Sequence, residues 1–143
     1  MKILLLIMFV LFLAGCANAS NDDENILFIE DRFFVVQNQQ IFMNPNNYIG
    51  RTIRYEGMFW GLPWGTDGED VYVVFRFAGG CCGNDGIVGF ELDLGDTEPL
   101  ENDSWVEVTG VLEMMEYGDG EFLWLTDVVL IEMEERGAES VPF

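Results

Sequence analysis

The sequence predicts an all-β domain, a small closed sheet of five strands entered through a short strand-and-helix extension. Three observations carry that prediction. Apolar residues recur at every second position in five separate runs, turn-forming residues separate the runs, and an Asn/Pro cluster closing on Gly50 leads directly into the first of them. The chain has 143 residues, enough for one domain but not for two of full size, and its 50% hydrophobic content excludes global disorder.

In chain order, residues 32–37 read as apolar and extended, and residues 39–43 as a helical turn. Asn44-Pro45 then reads as a cap followed by proline at the first helical position, with Gly50 closing the segment. The first run, residues 52–60, sets Ile53, Tyr55, Gly57 and Phe59 on one face and Arg54, Glu56 and Met58 on the other. Gly57 falls where a long first strand must coil sharply. The second run, residues 71–77, groups Val71, Val73, Phe75 and Phe77 against Tyr72, Val74 and Arg76. Residues 87–92 and 105–114 repeat the pattern, with Val106, Val108, Gly110 and Leu112 opposing Trp105, Glu107, Thr109 and Glu113. The last run, residues 122–133, slips its alternation near Asp127, which predicts a bulge. Turns are expected at residues 63–68, at the glycine-rich residues 79–86, and at Gly118-Asp119-Gly120. A short helix feeding a glycine-containing strand, followed by four more strands, is the pattern of a single five-stranded OB-fold-like barrel. The domain is expected to span residues 26–135, with residues 136–143 as a tail and a loose end from residue 134.

Ahead of it, Lys2 precedes an apolar run over residues 3–13, and Leu13-Ala14-Gly15-Cys16 follows. One positive charge, a short apolar stretch and small residues read as a secretory signal, too short for the roughly 20 residues of a spanning helix. With Cys directly after Leu-Ala-Gly, the segment resembles a bacterial lipoprotein signal peptide. That resemblance implies cleavage after residue 15 and a diacylglycerol on the Cys16 sulfur; the alternative is an ordinary secretory signal with a chance cysteine. Residues 16–25 are small, polar and acidic, a flexible tether. Its nine residues after Cys16 reach at most about 30 Å, so the domain is expected at the membrane surface, outside the cytoplasm, in the cell envelope.

The charge excludes other classes. With 6 Lys+Arg against 26 Asp+Glu, the formal net charge is −20, which opposes nucleic-acid phosphate even on a fold that elsewhere stacks bases on aromatics such as Trp60 and Trp64. The absence of His removes the commonest general base and the commonest neutral metal ligand. No phosphate-binding loop, dinucleotide fingerprint or nucleophile elbow is present, and the carboxylates at Asp67, Glu69 and Asp70 lack EF-hand spacing.

Four segments taken together resemble a known family. Tyr48-Ile49-Gly50-Arg51-Thr52-Ile53, Phe75-Arg76-Phe77, Cys81-Cys82 with Asp85, and Trp105-Val106-Glu107-Val108-Thr109-Gly110 are similar to the C-terminal domain of YcgQ-like bacterial membrane proteins. The similarity covers about residues 32–132. It implies an OB-like domain with a Cys-Cys-x-x-Asp motif after an Arg-Phe strand. It also implies a place near a membrane, without supplying a reaction.

Cys81, Cys82 and Asp85 are the candidate site, and three readings of them stand. Two thiolates and a carboxylate suit a borderline metal such as zinc, with glycines letting the backbone converge. Alternatively the thiols form a strained vicinal disulfide in an oxidising compartment, a redox device. In the third reading both cysteines are inert fillers. The sequence as a whole points to a lipid-anchored envelope protein acting as a binding module without catalytic residues. Its expected partners are the membrane, through the lipid anchor, and a membrane transporter or another envelope protein; the alternative readings of the chain itself are a vicinal-thiol redox protein and a structural adaptor for another envelope protein.

Overall fold

Strand alternation organises the molecule, described for residues 25–65, 68–80 and 83–142 in a computed structural model. In chain order the elements are β1 (Ile26–Phe28), a 3-10 turn (Asp31–Phe33), α1 (Phe34–Met43), a second 3-10 turn (Pro45–Asn47), β2 (Thr52–Leu62), β3 (Val71–Gly80), β4 (Gly83–Leu92), β5 (Ser104–Tyr117), β6 (Gly120–Glu132) and β7 (Ser140–Pro142). The strands lie in the order β1-β2-β5-β6-β4-β3-β7, and β3 also pairs back onto β2. That last pairing closes a five-stranded barrel in which only the β4–β6 contact is parallel. The OB-like fold class is therefore as the sequence predicts.

β2 is the strand on which closure turns. Its whole first part, from Thr52 to Phe59, pairs with β5, while its other edge takes β1 at residues 52–54 and β3 only from Met58 onward. At the changeover sits Gly57, where a Cβ would stand 2.8 Å from the Phe75 carbonyl oxygen. Glycine is the residue that permits that approach. β1 on β2 and β7 on β3 line the gap left where β2 and β3 part.

The barrel interior follows the predicted faces. Ile53, Tyr55, Phe59, Val106, Val108 and Leu112 are buried, joined by Val74, Phe90 and Leu125. Inside, the Tyr55 hydroxyl donates to the Val74 carbonyl at 2.7 Å and accepts from the Phe90 N–H at 3.1 Å, tying β2, β3 and β4 together. Burial holds this phenol far above its ordinary pKa, so it is a neutral structural group. The slip near Asp127 is a bulge: pairing jumps from Thr109↔Val129 to Val111↔Thr126, and Asp127 has φ 50°. Gly118-Asp119 forms the expected two-residue turn between paired Tyr117 and Gly120, with Gly118 at φ 60°.

Four expectations are corrected. Residues 32–37 are not extended, because Phe34, Val35, Asn38 and Ile41 have helical spacing and bury together as one face of α1 against the barrel. Asn44 makes no capping bond, and its Nδ2 reaches back to the Gln40 carbonyl at 3.5 Å. The glycine-rich residues 79–86 are not one long turn: β3 and β4 pair through Gly79↔Asn84 and Gly80↔Gly83. Nor is the tail a loose end, since Ser140–Pro142 pairs with Phe77–Gly79 and buries Val141. No helix among the described residues is long and apolar enough to cross a membrane.

Candidate functional site

β3 is apolar on both faces, and this produces a second cluster outside the barrel. Tyr72, Val74 and Ala78 serve the interior, while Val71, Val73 and Phe75 pack with Met58 and Trp105 on the outer surface, flanked by Trp60, Leu62 and Phe77. The register explains the grouping, because Met58↔Phe75 and Trp60↔Val73 are cross-strand pairs and Trp105 lies opposite Met58. A returning segment shelters one end: Gly137 passes so close to Trp105 that a Cβ would lie 2.7 Å from its ring. Arg136 stacks over the same ring, 5.7 Å from its centroid, and bonds Asp103 Oδ1 at 2.6 Å and Glu139 Oε1 at 2.7 Å. Those bonds, the one to Asp103 foremost, raise the guanidinium pKa above its ordinary value. The rest of the outer face is open, with Trp64 64% and Ile87 45% exposed beside a cavity of about 400 Å³.

Phe77 and Ile87, which line this cavity, are a cross-strand pair of β3 and β4, the two strands that flank the Cys-Cys motif in sequence. Cys81 and Cys82 lie outside the described residues, as does Cys16. Their described neighbours Gly80 and Gly83 are paired across β3 and β4. Asp85 has a defined backbone role: pairing moves from Ala78↔Gly86 directly to Gly79↔Asn84, which leaves Asp85 as the extra residue of a β-bulge. Among the described residues no three of His, Cys, Asp and Glu come together to hold a metal ion.

Arg76 is a feature that sequence reading missed. It is fully buried, its Nε donates to the Glu56 carbonyl at 2.7 Å, and Nη1 stands 2.9 Å from Asp31 Oδ1. Its guanidinium lies 5.1 Å from the Phe34 ring centroid and 5.0 Å from that of Trp105. Trp105 Nε1 in turn donates to Glu56 Oε2 at 3.3 Å. Arg76 thus bridges the gap where β2 and β3 diverge and joins the inner and outer apolar clusters. The available signal was an Arg between two Phe residues in a strand, where its stem has apolar company.

Residues 15–135 match the family model described as the DUF1980 C-terminal domain, in line with the likeness to YcgQ-like C-terminal domains. The match covers most of the chain, which therefore belongs to that family. No curated protein and no solved structure matches it.

Proposed function

We propose that this member of the DUF1980 C-terminal domain family is a lipid-anchored, extracytoplasmic binding module that takes a metal ion, zinc by its donor chemistry, at Cys81, Cys82 and Asp85. The observation that carries the reading is the backbone bulge at Asp85, the one break in register among the described β3–β4 pairs, which falls on the carboxylate residue of the motif. Two thiolates and a carboxylate are three donors, leaving the fourth position of a tetrahedral zinc for water or a group from a partner. Cys16 provides the membrane attachment through its acyl chains, each buried methylene contributing about 0.8 kcal/mol. The half-exposed apolar face of β3 favours a protein partner, such as a membrane transporter or another envelope protein. With a net charge of −20, nucleic acid is not a partner.

The test is elemental analysis of reduced full-length protein equilibrated with zinc and then dialysed. The proposal expects stoichiometric zinc that is lost in Cys81→Ser and Cys82→Ser and held more weakly in Asp85→Asn. Absence of zinc, together with a two-dalton mass deficit in the unreduced Cys81–Cys82 peptide, would replace it with the vicinal-disulfide reading. Absence of zinc with both thiols free would leave only an adaptor. Attachment is tested separately: Cys16→Ser should abolish labelling by a fatty-acid analogue and release the protein from membranes.

A further inference from the structure

A second cavity, of about 470 Å³, lies where α1 faces β3, β4 and β6. Consecutive residues of β4, from Ile87 to Glu91, all line it. Successive strand residues point to opposite faces, so a cavity on one face of a continuous sheet would meet only every second one. Val88 and Phe90 belong with the barrel interior, whereas Ile87, Gly89 and Glu91 pair with Phe77, Phe75 and Val73 of the outer face. The cavity therefore runs through the plane of the sheet, along the edge of β4.

The sheet is open there because β4 meets β6 only at Glu91↔Trp124 and Leu92↔Leu125, and the strands part ahead of those pairs. Two contacts fix the direction of the backbone along that edge. The Asp93 N–H donates to the Leu125 carbonyl at 2.9 Å, so odd-numbered residues of β4 turn their N–H groups toward β6. The Phe90 N–H turns the other way, to the Tyr55 hydroxyl that also bonds the Val74 carbonyl of β3. The β3–β4 register is unbroken from Ile87 to Leu92. The N–H and C=O groups of Ile87 and Gly89 thus face the opening, beyond the last β6 partner. At the barrel's other opening, where β2 and β3 part, β1 adds in parallel to β2 and β7 in parallel to β3. Among the described residues no strand does the same for β4 at Ile87 to Phe90. A bare edge of this kind is a template for a further strand.

We propose that this opening is a docking slot for an extended segment of a partner protein, which adds as a strand to β4 at Ile87 and Gly89. One row of its side chains packs inward on Val35 and Phe42 of α1, and the alternate row outward beside Ile87 and Trp64. Both rows meet apolar walls, so the centre of the segment is apolar throughout. Glu91 is the one charged residue of the lining, and the chain carries −20, which calls for Lys or Arg at the ends of the segment. The same charge opposes a second copy of this chain, or its own acidic residues 16–25, as the occupant. The inference is independent of metal at the cysteine hairpin, and the zinc analysis neither supports nor removes it.

Full-length protein in detergent is titrated with the synthetic peptide Lys-Lys-Val-Ile-Val-Ile-Val-Lys-Lys, with a counterpart ending in glutamates and another N-methylated at every amide. Tryptophan fluorescence follows affinity, since Trp64 lines the cavity, and amide hydrogen exchange by NMR follows the edge. In the free protein the amides of Ile87 and Gly89 should exchange fast, while those of Val88 and Phe90, turned to β3, are protected. The expected result is saturable binding of the lysine peptide, slowed exchange at Ile87 and Gly89, at least about tenfold weaker binding of the glutamate peptide, and none of the N-methylated one. Ile87→Pro removes an N–H outside the β3 ladder and should cost the lysine peptide about tenfold in affinity with the fold kept. Should that variant not fold, the exchange measurement on wild type decides. No saturation by the lysine peptide in the millimolar range, equal binding of either counterpart, or unaltered exchange at Ile87 and Gly89 on saturation would overturn the proposal.

Discussion

The inside and the outside of β3 are both apolar, yet they are built to different ends. Inside, Val74 and Ala78 are sealed, and the Tyr55 hydroxyl satisfies a carbonyl and an N–H within the same closed layer. Outside, Val73 and Phe75 are buried beside Trp60, Leu62 and Phe77, which keep part of their surface in water, and the neighbouring Trp64 and Ile87 are exposed. A closed sheet gains nothing in closure from a second apolar face. That face lines an open cavity, so the difference separates residues that close the barrel from residues that form an open apolar surface.

Substitutions on the two faces should therefore part company. Phe59, completely buried, is the strongest probe of the interior: Phe59→Ala should cost about 3–5 kcal/mol in chemical denaturation. A cost comparable to that of a surface change would mean the barrel core is elsewhere. Arg76→Met tests the seam between the faces. It keeps the apolar stem but removes the bond to the Glu56 carbonyl, and should cost about 2 kcal/mol. Because Asp31 is 68% exposed, the ion pair adds little to that figure, and Asp31→Asn should change stability by well under about 1 kcal/mol.

Glu91 sharpens the comparison through pH. Burial raises its carboxyl pKa above the ordinary range. The folded state then holds the proton more tightly than the unfolded chain. Its stabilising contribution is complete below the ordinary carboxylate pKa and declines as pH rises toward the folded value. Glu91→Gln should lack that decline, which then appears in the wild-type-minus-variant difference; an identical slope in both would show that Glu91 is solvated. The smallest effect belongs to Trp64→Ala on the open face, expected within about 0.5 kcal/mol of wild type. A large loss there would make this surface part of the folding core.

Much of this architecture was legible in residue order. Period-two alternation located all five barrel strands, and the slip at Asp127 located the bulge because a one-residue insertion reverses the faces. Other features were hidden for physical reasons. α1 begins Phe34-Val35-Val36, residues with weak helix propensity, and is held by packing of its buried face. β7 is three residues long, too short to show any period, and forms because the β3 edge beyond β2 is free to accept it. The glycines of residues 79–86 suggested a turn, whereas cross-strand pairing overrides their low strand preference. At the candidate site the motif itself was readable, but the bulge at Asp85 depends on register, and the burial of Arg76 depends on where two distant strands diverge.

The claim that the cysteine hairpin is a metal-handling site is met most directly by thermal melting of the reduced full-length protein with and without zinc. A ligand that binds only the folded state stabilises it by RT ln(1 + [L]/Kd), about 2.7 kcal/mol at a hundredfold excess over Kd. Zinc should therefore raise the Tm of wild type, with proton release and a weaker effect as pH falls, and leave the Tm of Cys81→Ser and Cys82→Ser unmoved. An unchanged Tm in the wild-type protein, with both thiols still titratable after exposure to air, would contradict it.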